Sequence, residues 1–432
     1  MNIQSWLPEI GKDSQDLQYA LGEDQRTQAL QAVSQGSFPT RRDEEWRYTP
    51  LKAVLTRDLG LESTADVKVS AIDSLKQVIP DALHLVFING EFSSEHSIDL
   101  EGELPAGLQL TRTGKCSTAQ QELIEKMIAE ANYSDENVFQ QLALSMSRSG
   151  ILIEVDKNSE ISTPVHVINY TGNNSPAFLE PALQFVHLKA NSRLTLIQHT
   201  ASDETAASVN LPVEYLKLDA GAGLEQYRIS IGSEGMDLIS NAQVRVAESA
   251  QFTSHQYLFG SRLTRSNTEV TFEARGGDAA LSGLYLGAGT QHLDIRTYVD
   301  HVHANCVSNQ HFRGILGDAA RGVFNGLVMV QKDAQQTNAE QSNKNLLLSR
   351  DARVDTKPQL EIYADDVRCG HGATVGELDS DARFYLQSRG IDREEAAQML
   401  IHAFAAEVTQ DIKMTAIRDY VQELVHQKLM QY

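Results

Sequence analysis

Cysteine is scarce in this chain, three in 432 residues, and one of the three stands two positions before a histidine. Cys369 and His371 lie in KPQLEIYADDVRCGHGATVG, Lys357 to Gly376, each followed by a glycine, Gly370 and Gly372. In an extended backbone residues i and i+2 share a face. The thiol and the imidazole therefore stand side by side, and the glycines let another backbone or a ligand come close. Thiolate and imidazole suit iron, zinc and iron–sulfur clusters. Two ligands are half of a four-ligand site. The competing reading is a cysteine that serves only as a small packing hydrophobe.

Other chemistry-bearing residues are weaker candidates. His301, His303 and His311 cluster with Cys306 in DHVHANCVSNQHF. His301 and His303 would share a strand face, and Asp300 or Cys306 could join them, but HExxH and other metal spacings are absent. They read as residues that bond to neighbouring chain. Cys116, Cys306 and Cys369 are far apart and form no CxxC, so neither a disulfide framework nor a zinc ribbon is expected, and a reduced cytoplasmic compartment fits. The chain has no GxSxG, no GxxxxGK[ST] and no GxGxxG. It is therefore not expected to hydrolyse ATP by the P-loop mechanism. Met127 and Met146 fall at helical spacing and read as core filler. Trp46 and Tyr48, in the charged block PTRRDEEWRYTPL (Pro39 to Leu51), read as aromatics that anchor a helix start to the body.

A formal charge of −21 argues against nucleic acid or an anionic membrane as main partner. No apolar run is long enough to span a membrane. The opening MNIQSWLPEIGKDSQ lacks the basic-then-apolar plan of a secretory signal, and its acidic residues do not suit a transit peptide.

The elements that position Cys369 and His371 follow from hydrophobic period. Residues 1–149 read as a mostly helical region. Helical spacing runs through residues 1–36 (Leu17, Ala20, Leu21, then Ala29, Leu30, Val33), and Pro39 ends it. Asn89-Gly90 after LHLVFI marks a hairpin. Leu123, Ile124, Met127, Ile128 and Ala131 make one helical stripe, and Val138, Phe139, Leu142, Ala143 and Met146 a second.

At Gly150 the period changes, and residues 150–378 read as a mainly β core. Short strand-like pieces such as ILIEV, VHVINY, LQFVHLK, RLTLIQH and EVTFEA succeed one another without a helix-length interruption. Parallel strands joined by helices are thereby disfavoured. A sandwich, a propeller and a β-helix remain, and the absence of an aromatic blade repeat weakens the propeller. Close-set strands rich in Val, Ile, Leu, Thr and Ser suit a parallel β-helix, although no clean repeat is visible. Residues 379–432 read as a C-terminal helical domain. Asp392 and Glu395 resemble a capping box. Ala396, Met399, Leu400, Ala403, Phe404 and Val408 then form one face, and Ile417, Tyr420, Val421, Leu424 and Val425 another. Such helices either cap the end of a solenoid or dock a partner.

Cys369 and His371 fall near the end of the strand-rich run. The last turn of a solenoid has an unpaired edge, and a second β-protein pairing there could bring the missing ligands.

The segment TNAEQSNKNLLLSRDARVDTKPQLEIYADDVRCGHGATVGELDSDARFYLQSRGI, Thr337 to Ile391, closely resembles the C-terminal signature of the SufB/SufD family. The blocks RRDEEWRYTPL and DREEAAQMLIHAFAAEV resemble its SufD branch, and the likeness runs in order along nearly the whole chain. The resemblance implies a right-handed parallel β-helix flanked by N-terminal and C-terminal helical regions. It implies a non-catalytic subunit of the SUF iron–sulfur cluster assembly scaffold. That subunit pairs with SufB through the β-helices and holds the ATPase SufC on its C-terminal helices. Cys369 and His371 match the positions where a transient, nascent iron–sulfur cluster forms at the SufB interface. The resemblance gives no role to His301, His303 or Cys306. It leaves open the cluster type, the SufB ligands, a flavin in the complex, and homodimers of this chain without SufB. Two other readings stay in view: a β-helix hydrolase or lyase acting on an acidic polysaccharide, and a scaffold without cluster chemistry.

Overall fold

The computed structural model describes residues 20–60, 67–131, 137–173 and 177–430. Leu17 and the rest of residues 1–19, expected to be helical, lie outside the described residues. The first described helix is α1 (Glu23–Gln35), followed by α2 (Lys52–Leu55), α3 (Val69–Gln77), α4 (Thr118–Glu130) and α5 (Val138–Met146). Ser117 caps α4 with a full capping box to Gln120, and Asn137 caps α5 through Gln140 N. The region before Gly150 is not only helical. It supplies β1 (Leu59–Gly60), the hairpin β2 (Leu83–Ile88) and β3 (Glu91–Phe92), and β4 (Leu108–Arg112). Asn89 and Gly90 both take positive φ, +53° and +80°, as a two-residue hairpin turn requires.

From Gly150 onward the chain is a parallel β-solenoid of two sheets. The first sheet takes β5 (Gly150–Val155), β7 (Ala177–Leu188), β9 (Ser208–Leu218), β11 (Met236–Val246), β13 (Leu263–Phe272), β15 (His292–His301), β17 (Arg321–Val330) and β19 (Arg353–Ile362). The second takes β6 (Val165–Thr171), β8 (Arg193–Ser202), β10 (Gly223–Ile231), β12 (Gln251–Leu258), β14 (Asp278–Gly287), β16 (Val307–Leu316), β18 (Asn338–Leu347) and β20 (Arg368–Glu377). Each strand pairs in parallel with the strand two places on, so one turn contributes one strand to each sheet. This removes the sandwich and propeller alternatives. Strands β2 and β4 extend the two sheets at the other end by pairing with β6 and β5.

Arg193, Gly223, Gln251, Asp278, Val307, Asn338 and Arg368 stack in register, so successive turns take 30, 28, 27, 29, 31 and 30 residues. The interior between the sheets is filled by Leu, Val, Ile and Phe from alternate positions, among them Leu196, Leu224, Phe252, Val270, Ile295 and Phe324.

The outer faces are covered as well. Helices α1, α4 and α5 lie on the early strands of the first sheet and bury Val33, Met127, Phe139 and Leu142 against Phe185, Val213 and Tyr215. The charged block Pro39 to Leu51 packs further along the same sheet. Trp46 is buried with the Arg265 guanidinium 3.5 Å from its ring centroid, and Thr49 Oγ1 donates to Asp294 at 2.5 Å. The C-terminal helices are α6 (Ser380–Ser388), α7 (Arg393–Thr409) and α8 (Thr415–Leu429). Helices α7 and α8 lie along the outer face of the second sheet, against Tyr227, Tyr257, Leu284 and Ile315, and not over the solenoid's end. Asp392 caps α7, accepting from Glu394 N and Glu395 N. The buried face of α7 is Ala396, Ile401, Ala405 and Val408, whereas Met399 and Ala403 point to solvent.

Candidate functional site

Strand β20 is the last of its sheet, and no strand among the described residues pairs with its outer edge. On β18, one turn below, Ala339, Gln341, Asn343 and Asn345 are buried while the residues between them are more exposed. The register sets Cys369 over Ala339, His371 over Gln341, Ala373 over Asn343 and Val375 over Asn345. Cys369 and His371 therefore continue the interior columns into a layer with no turn above it. Cys369 is half-buried against the solenoid core, whereas His371 is exposed. Burial pushes the Cys369 thiol above its ordinary pKa. A thiol binds a metal only as the thiolate, so metal binding there would require loss of that proton.

The glycines of this strand have no steric reason among the described residues. A Cβ at Gly370, Gly372 or Gly376 would meet nothing within 4 Å. The surrounding end is apolar: Tyr363 is 62%, Val375 49%, Phe384 72% and Tyr385 58% exposed. Helix α6, which carries the last two, buries no residue at all. A flat strand edge rimmed by exposed aromatics is the kind of surface that other chains cover.

The second sequence cluster does not form a site. His301 is buried, its Nε2 2.9 Å from Ser308 Oγ and its ring against Phe272. Burial lowers its pKa to about 4. Cys306 is buried with its Sγ 3.3 Å from Ala274 O. His303 sits exposed in the following turn, and His311 is exposed on β16. Among the described residues, no group of three or more His, Cys, Asp or Glu side chains is placed to hold a metal ion. Cys369 and His371 thus have no third ligand of that kind within the described chain.

The structure also brings together residues that the sequence kept apart. His84, His166 and His199 line up on the outer face of the second sheet, with Nδ1–Nδ1 3.1 Å for the first pair and Nε2–Nδ1 2.6 Å for the second. His166 meets its neighbours through different ring nitrogens, so the three rings form a hydrogen-bonded row and do not converge on one metal. Burial is the main cause that lowers all three pKa values, His199 to about 3. Only the parallel register could have revealed the row, since the residues are 82 and 33 positions apart.

Fold and site together define a class: a parallel β-solenoid that carries a thiol and an imidazole on the terminal strand of one sheet. The family model described as "SUF system FeS cluster assembly, SufBD core domain" matches residues 174–404. The model for the "SufBD protein N-terminal region" matches residues 14–167. The chain belongs to the SufBD family of SUF-system iron–sulfur cluster assembly proteins. It is 30% identical to the iron–sulfur cluster assembly protein SufD of Escherichia coli, over 94% of this chain and 92% of that protein. It is 28% identical to an iron–sulfur cluster assembly SufBD family protein of Synechocystis, over 90% and 87%. With the SufD of Bacillus subtilis the identity is 26%, over 71% of each chain. No helix among the described residues is long and apolar enough to cross a membrane.

Proposed function

We propose that this protein is a non-catalytic, cytoplasmic subunit of an iron–sulfur cluster assembly scaffold. It shares a cluster-building site with SufB and holds the ATPase SufC on its C-terminal helices. The observation that carries this reading is the open last turn: Cys369 and His371 stand side by side there without a third ligand among the described residues. A pairing β-helix would satisfy the free edge of β20 and could bring the missing ligands. The nascent cluster is cargo, held while it is built and then passed on. Soft thiolate and borderline imidazole are donors that iron–sulfur clusters accept. The solvent face of α7 and most of α6 remain exposed to a further partner, which supports the SufC assignment.

The test is co-purification of the chain with SufB and SufC, followed by anaerobic reconstitution of wild type and His371→Ala. The expected result is a complex in both cases and cluster in wild type alone. Equal iron and sulfide in the two would reduce the chain to a scaffold.

A further inference from the structure

Gln341, the register neighbour of His371 one turn below, holds a buried polar atom that no described residue bonds. Gln341 is 1% exposed inside the solenoid, and its Oε1 has no hydrogen-bond partner among the described residues. The other end of the amide bonds to its neighbour one turn below, whose own Nε2 is likewise without a partner among the described residues. Gln341 Nε2 donates to Gln310 Oε1 at 3.2 Å, and Gln310 Oε1 also accepts from Thr297 Oγ1 at 2.6 Å. The opposite sheet is shaped around this amide, because a Cβ at Gly326 would collide with Gln341 Nε2. Register continues the column from Gln310 to Gln341 to His371. A buried acceptor left unpaired is costly, and sites that keep one commonly serve a ligand or a neighbouring functional group.

We infer that Gln341 is a positioning residue for His371: its buried carbonyl oxygen accepts the N–H of one ring nitrogen and leaves the other bare and directed out of the open end. Parallel strands lie about 4.8 Å apart, so side chains stacked in register are within reach of each other. The His371 ring has no turn above it and is free to choose the rotamer that makes this bond. A neutral imidazole has one N–H and one lone pair, and the bond made by the first decides which nitrogen offers the second. The Thr297–Gln310–Gln341 column then acts as a rigid second layer behind the ligand, anchored in the solenoid. The inference rests on the reading that His371 is a cluster ligand.

The test uses the full chain with ring-¹⁵N-labelled histidine and three variants. Gln341→Met keeps length and removes the acceptor, Gln341→Glu restores one, and His371→Ala assigns the signal. Wild type and Gln341→Glu are expected to show His371 in one tautomer, and Gln341→Met a mixture of both. In the assembled complex, Gln341→Met is expected to lower ferrous-ion affinity about 10–100-fold, as loss of such outer partners does, with Gln341→Glu recovering it. Thermal melts that match wild type establish that the variants fold. Identical His371 ring shifts in wild type and Gln341→Met would overturn the inference. If those shifts differ while His371→Ala assembles normal cluster, positioning stands and the shared-site reading falls.

Discussion

Removing Asp294 should detach the charged N-terminal block from the solenoid at a large cost in stability. The carboxylate is fully buried. It faces Arg265 Nη1 at 2.9 Å and Arg296 Nε at 3.3 Å, and it accepts from Thr49 Oγ1 at 2.5 Å. Arg265 is itself buried, donates to Glu45 O at 2.8 Å and stacks on Trp46. Burial lowers the Arg265 pKa to about 9, with Asp294 opposing that shift, so the pair stays charged at neutral pH. Asp294→Ala would leave two buried guanidinium groups without their carboxylate. Losing one partner of a buried pair costs about 3–5 kcal/mol, several times the usual surface substitution. Urea denaturation followed by tryptophan fluorescence reads this directly, because Trp46 lies in the cluster. Limited proteolysis should cut first between Arg41 and Arg47. Adding Arg265→Met to Asp294→Leu removes one of the stranded charges and should recover part of the loss. An Asp294→Ala midpoint equivalent to less than about 1 kcal/mol would refute the claim that the RRDEEWRYTP block is an internal clamp.

Two further outcomes follow from the same geometry. His84, His166, His199, His292 and His301 all have pKa values lowered chiefly by burial, to about 3 for His199 and about 4 for His292 and His301. The unfolded chain takes up these protons near pH 6.5, so the stability from neutral burial is complete above that pH and lost as pH falls toward 4. Urea midpoints should decline across this window, and a flat profile from 6.5 to 5 would contradict the assignment. At the open end, Val375→Lys should change the stability of the chain alone by no more than about 0.5 kcal/mol yet abolish co-purification with SufB. Retained pairing would place the partner elsewhere.

Much of this architecture is written in hydrophobic period. The switch at Gly150, the Asn89-Gly90 turn, and the helix start at Asp392 each rest on local chemistry and can be read from a few residues. The repeat is harder to see because turn length wanders and because inward positions do not keep one residue type. One interior column reads Leu196, Gln226, Ser254, Leu281, Gln310, Gln341, His371. Gln341 is invisible in sequence for the same reason. In NAEQSNKNLL it looks like one more polar residue, and only register places it inside. Helix α7 misleads differently. It packs against both the sheet and α8, so its buried positions shift to Ile401 and Ala405 and leave Met399 outside. The pair Cys369 and His371 stands out in sequence because the two types are rare and spaced by two, and no described residue adds a third His, Cys, Asp or Glu to it.

The most direct test of the shared site is the cluster content of the complex with SufB and SufC after anaerobic reconstitution, wild type against His371→Ala. Iron, acid-labile sulfide and the visible spectrum are measured on material of equal subunit ratio. The expected result is an intact complex that holds cluster only when His371 is present. Equal cluster in both complexes would contradict it.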